Sequence, residues 1–187
     1  MNTLFAAARE VQDFLQQRGW RFCFIGGLAL LRWGRPRTTL DVDVSVFAGY
    51  GGEAPYIREL LARFGARIQN AAEFARDNRV VLIEASNKVP VDLVLGAVAL
   101  EEEAVRRATP FEFAPGVVLT TCSAEDLLVL KAFASRDQDW ADVKAVVACQ
   151  ADQLDWNYIE RQLRPLCEAK DAPDILVRLA GVRREAK

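Results

Sequence analysis

The chain has 187 residues, 51% hydrophobic and 27% charged, which suits one well-buried domain with a helical appendage and leaves too little for two large independent domains. Lys and Arg total 24 against 26 Asp and Glu, and the resulting net charge of −2 argues against broad coating of nucleic acid by charge alone. There is no histidine, which excludes a Ser-His-Asp triad, a Cys-His dyad and any zinc site that needs imidazole. Catalysis must then run on carboxylates, Lys, Arg, hydroxyls or thiols.

Leu4, Ala7, Ala8, Val11, Phe14 and Leu15 recur at helical spacing, and Gly19 is placed to stop that helix. Because the same stretch carries Arg9, Glu10 and Asp13, it lacks the apolar core of a signal peptide. No apolar run approaches the roughly 20 residues of a bilayer span. Cys23, Cys122, Cys149 and Cys167 lie far apart with no CxxC, the usage of a reducing compartment. The expectation is a soluble cytoplasmic protein with no membrane partner.

Arg21 to Ile25 reads as a short buried strand, Gly26-Gly27 as a break, and Leu28 to Trp33 as a helix leading into the polar loop Gly34 to Thr39. A strictly alternating strand follows, with Val42, Val44 and Val46 on one face and Asp41, Asp43 and Ser45 on the other. Ile57 to Ile68 has a helical pattern and Arg79 to Glu84 that of a strand. After the turn Ser86-Asn87-Lys88, Val89 to Leu95 reads as its hairpin partner. Pro90 cannot donate to a ladder, which assigns it to an edge or a strand start. Phe111 to Leu119 predicts a further strand pair around Pro115-Gly116. From Ser123 the texture turns helical: Ser123 caps Leu127 to Phe133, and helices follow near Trp140 to Cys149, near Trp156 to Cys167 and from Pro173. The fold class is therefore α/β (α+β), a mixed, mostly antiparallel sheet flanked by helices over residues 1–121, then a helical C-terminal segment over 122–187.

Asp41 and Asp43 share a strand face with Cα atoms roughly 6.6 Å apart, a spacing that suits a hard divalent cation. Such a pair on its own is more often a solvated strand face. Gly26-Gly27, between strand and helix, lets backbone approach a phosphate at a helix N-terminus, although a tight turn needs no ligand to explain it. Asp92 is out of phase with Val91, Leu93 and Leu95, as either a third site carboxylate or a solvent-facing residue of an edge strand.

Taken in order, Phe24-Ile25-Gly26-Gly27-Leu28-Ala29, Arg37-Thr38-Thr39-Leu40-Asp41-Val42-Asp43 and Val91-Asp92-Leu93 resemble the DNA-polymerase-β-like nucleotidyltransferase superfamily. Lys131 and the stretch Arg136-Asp137-Gln138-Asp139-Trp140-Ala141-Asp142 resemble its AbiEii-type branch, which includes toxins of toxin-antitoxin pairs. The resemblance implies that Asp41, Asp43 and Asp92 are the catalytic carboxylates and would hold two magnesium ions. It also implies that Gly26, Gly27, Arg37, Thr38, Thr39 and Lys131 bind the nucleotide, ATP or another triphosphate, with Lys131 as a triphosphate clamp; without the resemblance, Lys131 reads as an exposed residue of a solvated helix face. Leu28 departs from the pattern, since many members carry Ser at or directly after the second Gly; a backbone amide would replace that hydroxyl.

The implied reaction moves a nucleoside monophosphate from a triphosphate to a hydroxyl acceptor, with release of pyrophosphate. The acceptor is tRNA, protein or a small antibiotic, and an antitoxin is the partner implied by the toxin branch. Two other readings stand beside this one. A degenerate nucleotidyltransferase fold would serve as a nucleotide-binding or partner-binding module. A DxD phosphatase fits less well, because its nucleophile ends an apolar strand, whereas here the apolar alternation follows Asp41.

Overall fold

A computed structural model of the chain describes residues 3–150 and 153–186. By contact it divides into two compact units, residues 1–28 with 38–122, and residues 29–37 with 123–187.

In the first unit, α1 (Thr3–Gln17) buries Leu4, Ala7, Ala8, Val11, Phe14 and Leu15, the stripe set by its helical spacing. Then come β1 (Phe22–Phe24), the start of α2 (Gly26–Trp33) and β2 (Val42–Phe47). The elements α3 (Glu53–Arg63), β3 (Gly65–Ala66), α4 (Ala71–Asn78), β4 (Val80–Glu84) and β5 (Pro90–Gly96) follow. The unit closes with α5 (Ala99–Arg107), β6 (Thr109–Ala114) and β7 (Val117–Thr121). Among the described residues the strands form one seven-stranded sheet in the order β3-β4-β5-β2-β1-β7-β6. Its pairings are antiparallel except for β1 with β7 and β2 with β5.

The centre of this sheet is the parallel pair β2 and β5. Val42, Val44 and Val46 lie beside Val91, Leu93 and Leu95 in register, and all six are fully buried. Such two-stranded apolar runs need cover on that face, and α1 packs on β2 and β7. The other face carries Asp43 and Asp92 and then, one row further along, Ser45 and Val94. Ser45 is buried there next to Cys23 of β1.

Three expectations change. Asp92 sits on an interior strand, between β4 and β2, and Pro90 opens that strand opposite Glu84, where its missing N–H costs least. The helix expected over Ile57 to Ile68 starts at Glu53 and ends at Arg63, because the chain turns extended at Phe64 to add β3 to the sheet edge. Helices α4 and α5 escape the sequence reading. Each buries little beyond two small or aliphatic side chains, Ala71 and Ala75 in one and Leu100 and Ala104 in the other, so neither shows a strong apolar stripe.

The second unit gathers residues 29–37 with α6 (Ala124–Ala134), α7 (Asp137–Gln150), α8 (Trp156–Lys170) and α9 (Asp174–Glu185). Ser123 Oγ accepts from the Asp126 N–H and so caps α6. Trp140 lies at the centre of the unit, 1% exposed, with its indole N–H donating to Ser135 Oγ at 2.9 Å. Arg178 stacks over its ring.

Because Leu93 is fully buried at the centre of the sheet, Leu93→Ala should lower unfolding stability by about 3 kcal/mol. The drop is read from the urea midpoint.

Candidate active site

Strand β1 ends at Phe24, and the Ile25 N–H donates to the Asp43 carbonyl at 3.0 Å, which ties the following turn to β2. Gly26 then adopts φ +54°, and a Cβ at this position would run into the Asp43 carboxylate. A side chain is excluded here on both counts, backbone conformation and space. The Gly27 N–H points at Asp43 Oδ2 across a long 3.5 Å contact. A Cβ on Gly27 would meet the Thr39 side chain, so the Thr39 hydroxyl lies directly over this turn. Leu28, at the position where a serine was absent from the pattern, is fully buried. The hydroxyl next to Gly27 comes from Thr39 instead, from across the turn.

Thr39 Oγ1 also donates to Asp41 Oδ1 at 3.0 Å and so orients that carboxylate just before β2 begins. Asp43 and Asp92 are direct register partners on neighbouring parallel strands, which puts their side chains on one face about 4.8 Å apart along the hydrogen-bonding direction. Arg67 pairs with Asp92, and its own backbone N–H donates to the Leu82 carbonyl at 3.1 Å. Leu82 is the register partner of Asp92 on β4, so one cross-strand row runs Asp43, Asp92, Leu82, Arg67. No local periodicity marks Arg67; a lone Arg after a helix and a Gly-Ala pair gives no signal.

Among the described residues no three Asp, Glu, Cys or His side chains converge into a ready-made metal cage. The reason is visible in the partners, since Asp41 is turned to Thr39 and Asp92 to Arg67. The donor chemistry nevertheless fits magnesium. Asp41, Asp43 and Asp92 offer hard carboxylate oxygens, the last two from register partners on neighbouring strands, and this ion commonly takes one or two carboxylates, keeps waters and shares the phosphates of its substrate.

The second unit holds the remaining predicted residues in a different way. Arg37 makes a two-pronged contact to Asp142, Nε to Oδ1 at 3.0 Å and Nη2 to Oδ2 at 3.1 Å. Lys131 Nζ lies 3.0 Å from Asp139 and 2.9 Å from Asp142, and Arg136 holds Asp139 at 2.6 Å. The Lys131 side chain is only 10% exposed and those of Asp139 and Asp142 are 1% and 3%. Lys131 is therefore not on the solvated helix face that the sequence predicts. The chain breaks at Ser135, φ +61°, between α6 and α7, and the two helices bring Lys131 and Asp142 together across that break. Thr38 is exposed in the loop after Arg37.

Burial pushes the Asp139 carboxyl up, and the hydrogen bonds from Arg136 and Lys131 outweigh it, holding the pKa below the usual carboxylate range. Asp142 behaves likewise, its burial outweighed by Arg37 and Lys131.

A seven-stranded mixed sheet with a glycine turn closing on one strand aspartate, a second aspartate beside it and helices after the sheet define the class: this is a nucleotidyltransferase fold. The chain belongs to the family described as "Nucleotidyltransferase of unknown function (DUF6036)", whose model matches residues 2–172. No curated protein matches the chain in sequence. Its fold is similar to that of an antigenic nucleotidyltransferase-like protein from Paracoccidioides brasiliensis, at 15% identity and TM-score 0.51, over 94% of this chain and 90% of that one. It is also similar to the lincosamide antibiotic adenylyltransferase LnuA, solved with lincomycin bound, at 12% identity and TM-score 0.50, over 75% of this chain and 94% of that one.

Gly26→Ala forces the Asp43 carboxylate aside and strains the turn, so it should cost about 1–2 kcal/mol of stability and at least tenfold in nucleotide affinity. Calorimetry with a magnesium-triphosphate measures the second effect. Lys131→Met leaves two buried carboxylates short of a cation and should cost about 3 kcal/mol, far beyond an exposed-lysine change. Asp139 and Asp142 have pKa values lowered by folding, so their stabilisation is complete above the unfolded carboxylate pKa of about 3.9. It is withdrawn as the pH falls below that value towards the folded ones, and thermal melts between about pH 7 and 3 should show this loss, blunted in Asp139→Asn.

Proposed function

We propose that this enzyme transfers a nucleoside monophosphate from a nucleoside triphosphate to a hydroxyl acceptor and releases pyrophosphate. The observation that carries the reading is the in-register placement of Asp43 and Asp92, with the Gly26-Gly27 turn closed onto Asp43. The N–H groups at the start of α2 would meet the triphosphate beside the Asp43 carboxylate and the Thr39 hydroxyl, for which the two glycines leave room. The Thr39 hydroxyl, over Gly27, orients Asp41 and stands within the same phosphate cradle.

Asp41 and Asp43 would hold the magnesium that accompanies the triphosphate, and Asp92 with Asp43 the one on the acceptor side. When bound, such ions supply charge stabilisation for the entering and leaving oxygens of an in-line displacement. The acceptor oxygen forms a bond to the α-phosphorus, the bond from that phosphorus to the bridging oxygen breaks, and the electron pair leaves with pyrophosphate. The proton of the acceptor hydroxyl passes to an Asp92 carboxylate oxygen, the role an imidazole would take elsewhere and which this histidine-free chain gives to a carboxylate. Arg37 and Lys131, already satisfied by Asp142 and Asp139, serve in this reading to hold the second unit together.

Two acceptor classes remain in play. One is a small antibiotic, the class named for LnuA. The other is tRNA or protein, as an AbiEii-type toxin with a cognate antitoxin would require. Incubation with each α-labelled triphosphate, magnesium and cell extract should label one of these fractions. Asp43→Asn should abolish both labelling and magnesium-nucleotide binding. Asp92→Asn should keep most nucleotide affinity and lose a hundredfold or more in single-turnover transfer, the scale of general-base catalysis. Nucleotide binding without transfer in the wild-type protein would leave a binding module as the better reading, whereas undiminished transfer in both variants would undo the assignment of the carboxylates.

A further inference from the structure

From the pairing of Arg67 with Asp92 we infer that Arg67 is a built-in competitor for the metal-binding face of Asp92. The guanidinium and a divalent cation are alternative partners of the same carboxylate. This inference rests on the proposed reading of the carboxylate site.

Three observations support it. Arg67, just past β3, is held against β4 by its own backbone bond to Leu82, the register partner of Asp92, which brings its guanidinium to that carboxylate. The pair is accessible, with side chains 27% and 36% exposed, so an incoming hydrated cation can reach it. And Asp92 stands beside Asp43 in register, where two carboxylates on adjacent strands repel each other. Some cation has to compensate them. In the absence of metal that cation is Arg67, and the same charge that relieves the repulsion lowers the gain from binding a metal.

The consequence is a threshold. A free divalent ion has to displace an arginine to gain Asp92, whereas an ion arriving with a triphosphate also brings phosphate oxygens as ligands. Arg67 therefore biases the site towards metal that comes with nucleotide.

The test is binding of manganese ion alone to the nucleotide-free protein, followed by electron paramagnetic resonance or calorimetry, with no turnover required. R67Q should bind manganese about fivefold more tightly than wild type, the scale of an accessible ion pair. R67K, which keeps a cation, should stay near wild type. In a D92N background R67Q should have no effect, because the shared carboxylate is gone. Equal manganese affinity in wild type and R67Q, weaker binding in R67Q, or the same tightening in the D92N background would each overturn the inference. A purely structural Arg67 would lower the melting temperature of R67Q without tightening manganese binding. The two readings fail separately: manganese binding that is indifferent to D43N undoes the assignment of the carboxylate site, whereas D43N sensitivity with an indifferent R67Q undoes only the role of Arg67.

Discussion

The in-register parallel pairing of β2 with β5 is the constraint on which the first unit depends. It buries three residues of each strand on one face and thereby fixes two aspartates side by side on the other. A one-residue slip of either strand would exchange its faces, sending Asp43 or Asp92 into the apolar layer at a cost no neighbouring contact could offset. The register is thus held by hydrophobic burial, and the carboxylate pair is its by-product. What surrounds the pair answers to its charge: an arginine from beyond β3, a backbone N–H from the glycine turn and a hydroxyl that steers the preceding aspartate.

The glycine turn answers to the same pair sterically. Gly26 approaches Asp43 so closely that no β-carbon fits, and Gly27 does the same with Thr39. The strand, the loop before it and the turn therefore close on one another as a unit, and a substitution in any of them is felt by the carboxylates. This closeness also explains how Thr39 can supply the hydroxyl that the residue after the glycines, a buried leucine, does not.

The second unit solves a different problem. Its centre combines apolar packing around Trp140 with a chain of charges in which Arg37, Lys131 and Arg136 share two buried carboxylates. Buried ion pairs add little net stability, but a buried carboxylate stripped of its cation is costly. The network therefore acts as a requirement for completeness: residues 29–37 have to dock with the C-terminal helices for Asp142 to be satisfied.

Period-two alternation marked Val42, Val44 and Val46 against Asp43, and a second alternation put Asp92 out of phase with Val91 and Leu93. Both patterns are local, so the strands, their faces and the glycine break were legible without coordinates, as was the absence of any imidazole chemistry. Which strands became neighbours was not. Asp92 moved from a supposed edge to the sheet interior, Arg67 came to it across 25 positions, and Arg37 met Asp142 across 105. Lys131 passed from an expected solvated face to a buried pair because a left-handed residue at Ser135 redirected the chain. Alternation and helical spacing report which face of an element is apolar. They carry no information on which distant element covers that face or which charge arrives beside it, and those choices are made only when the whole chain minimises exposed apolar surface and unpaired charge together.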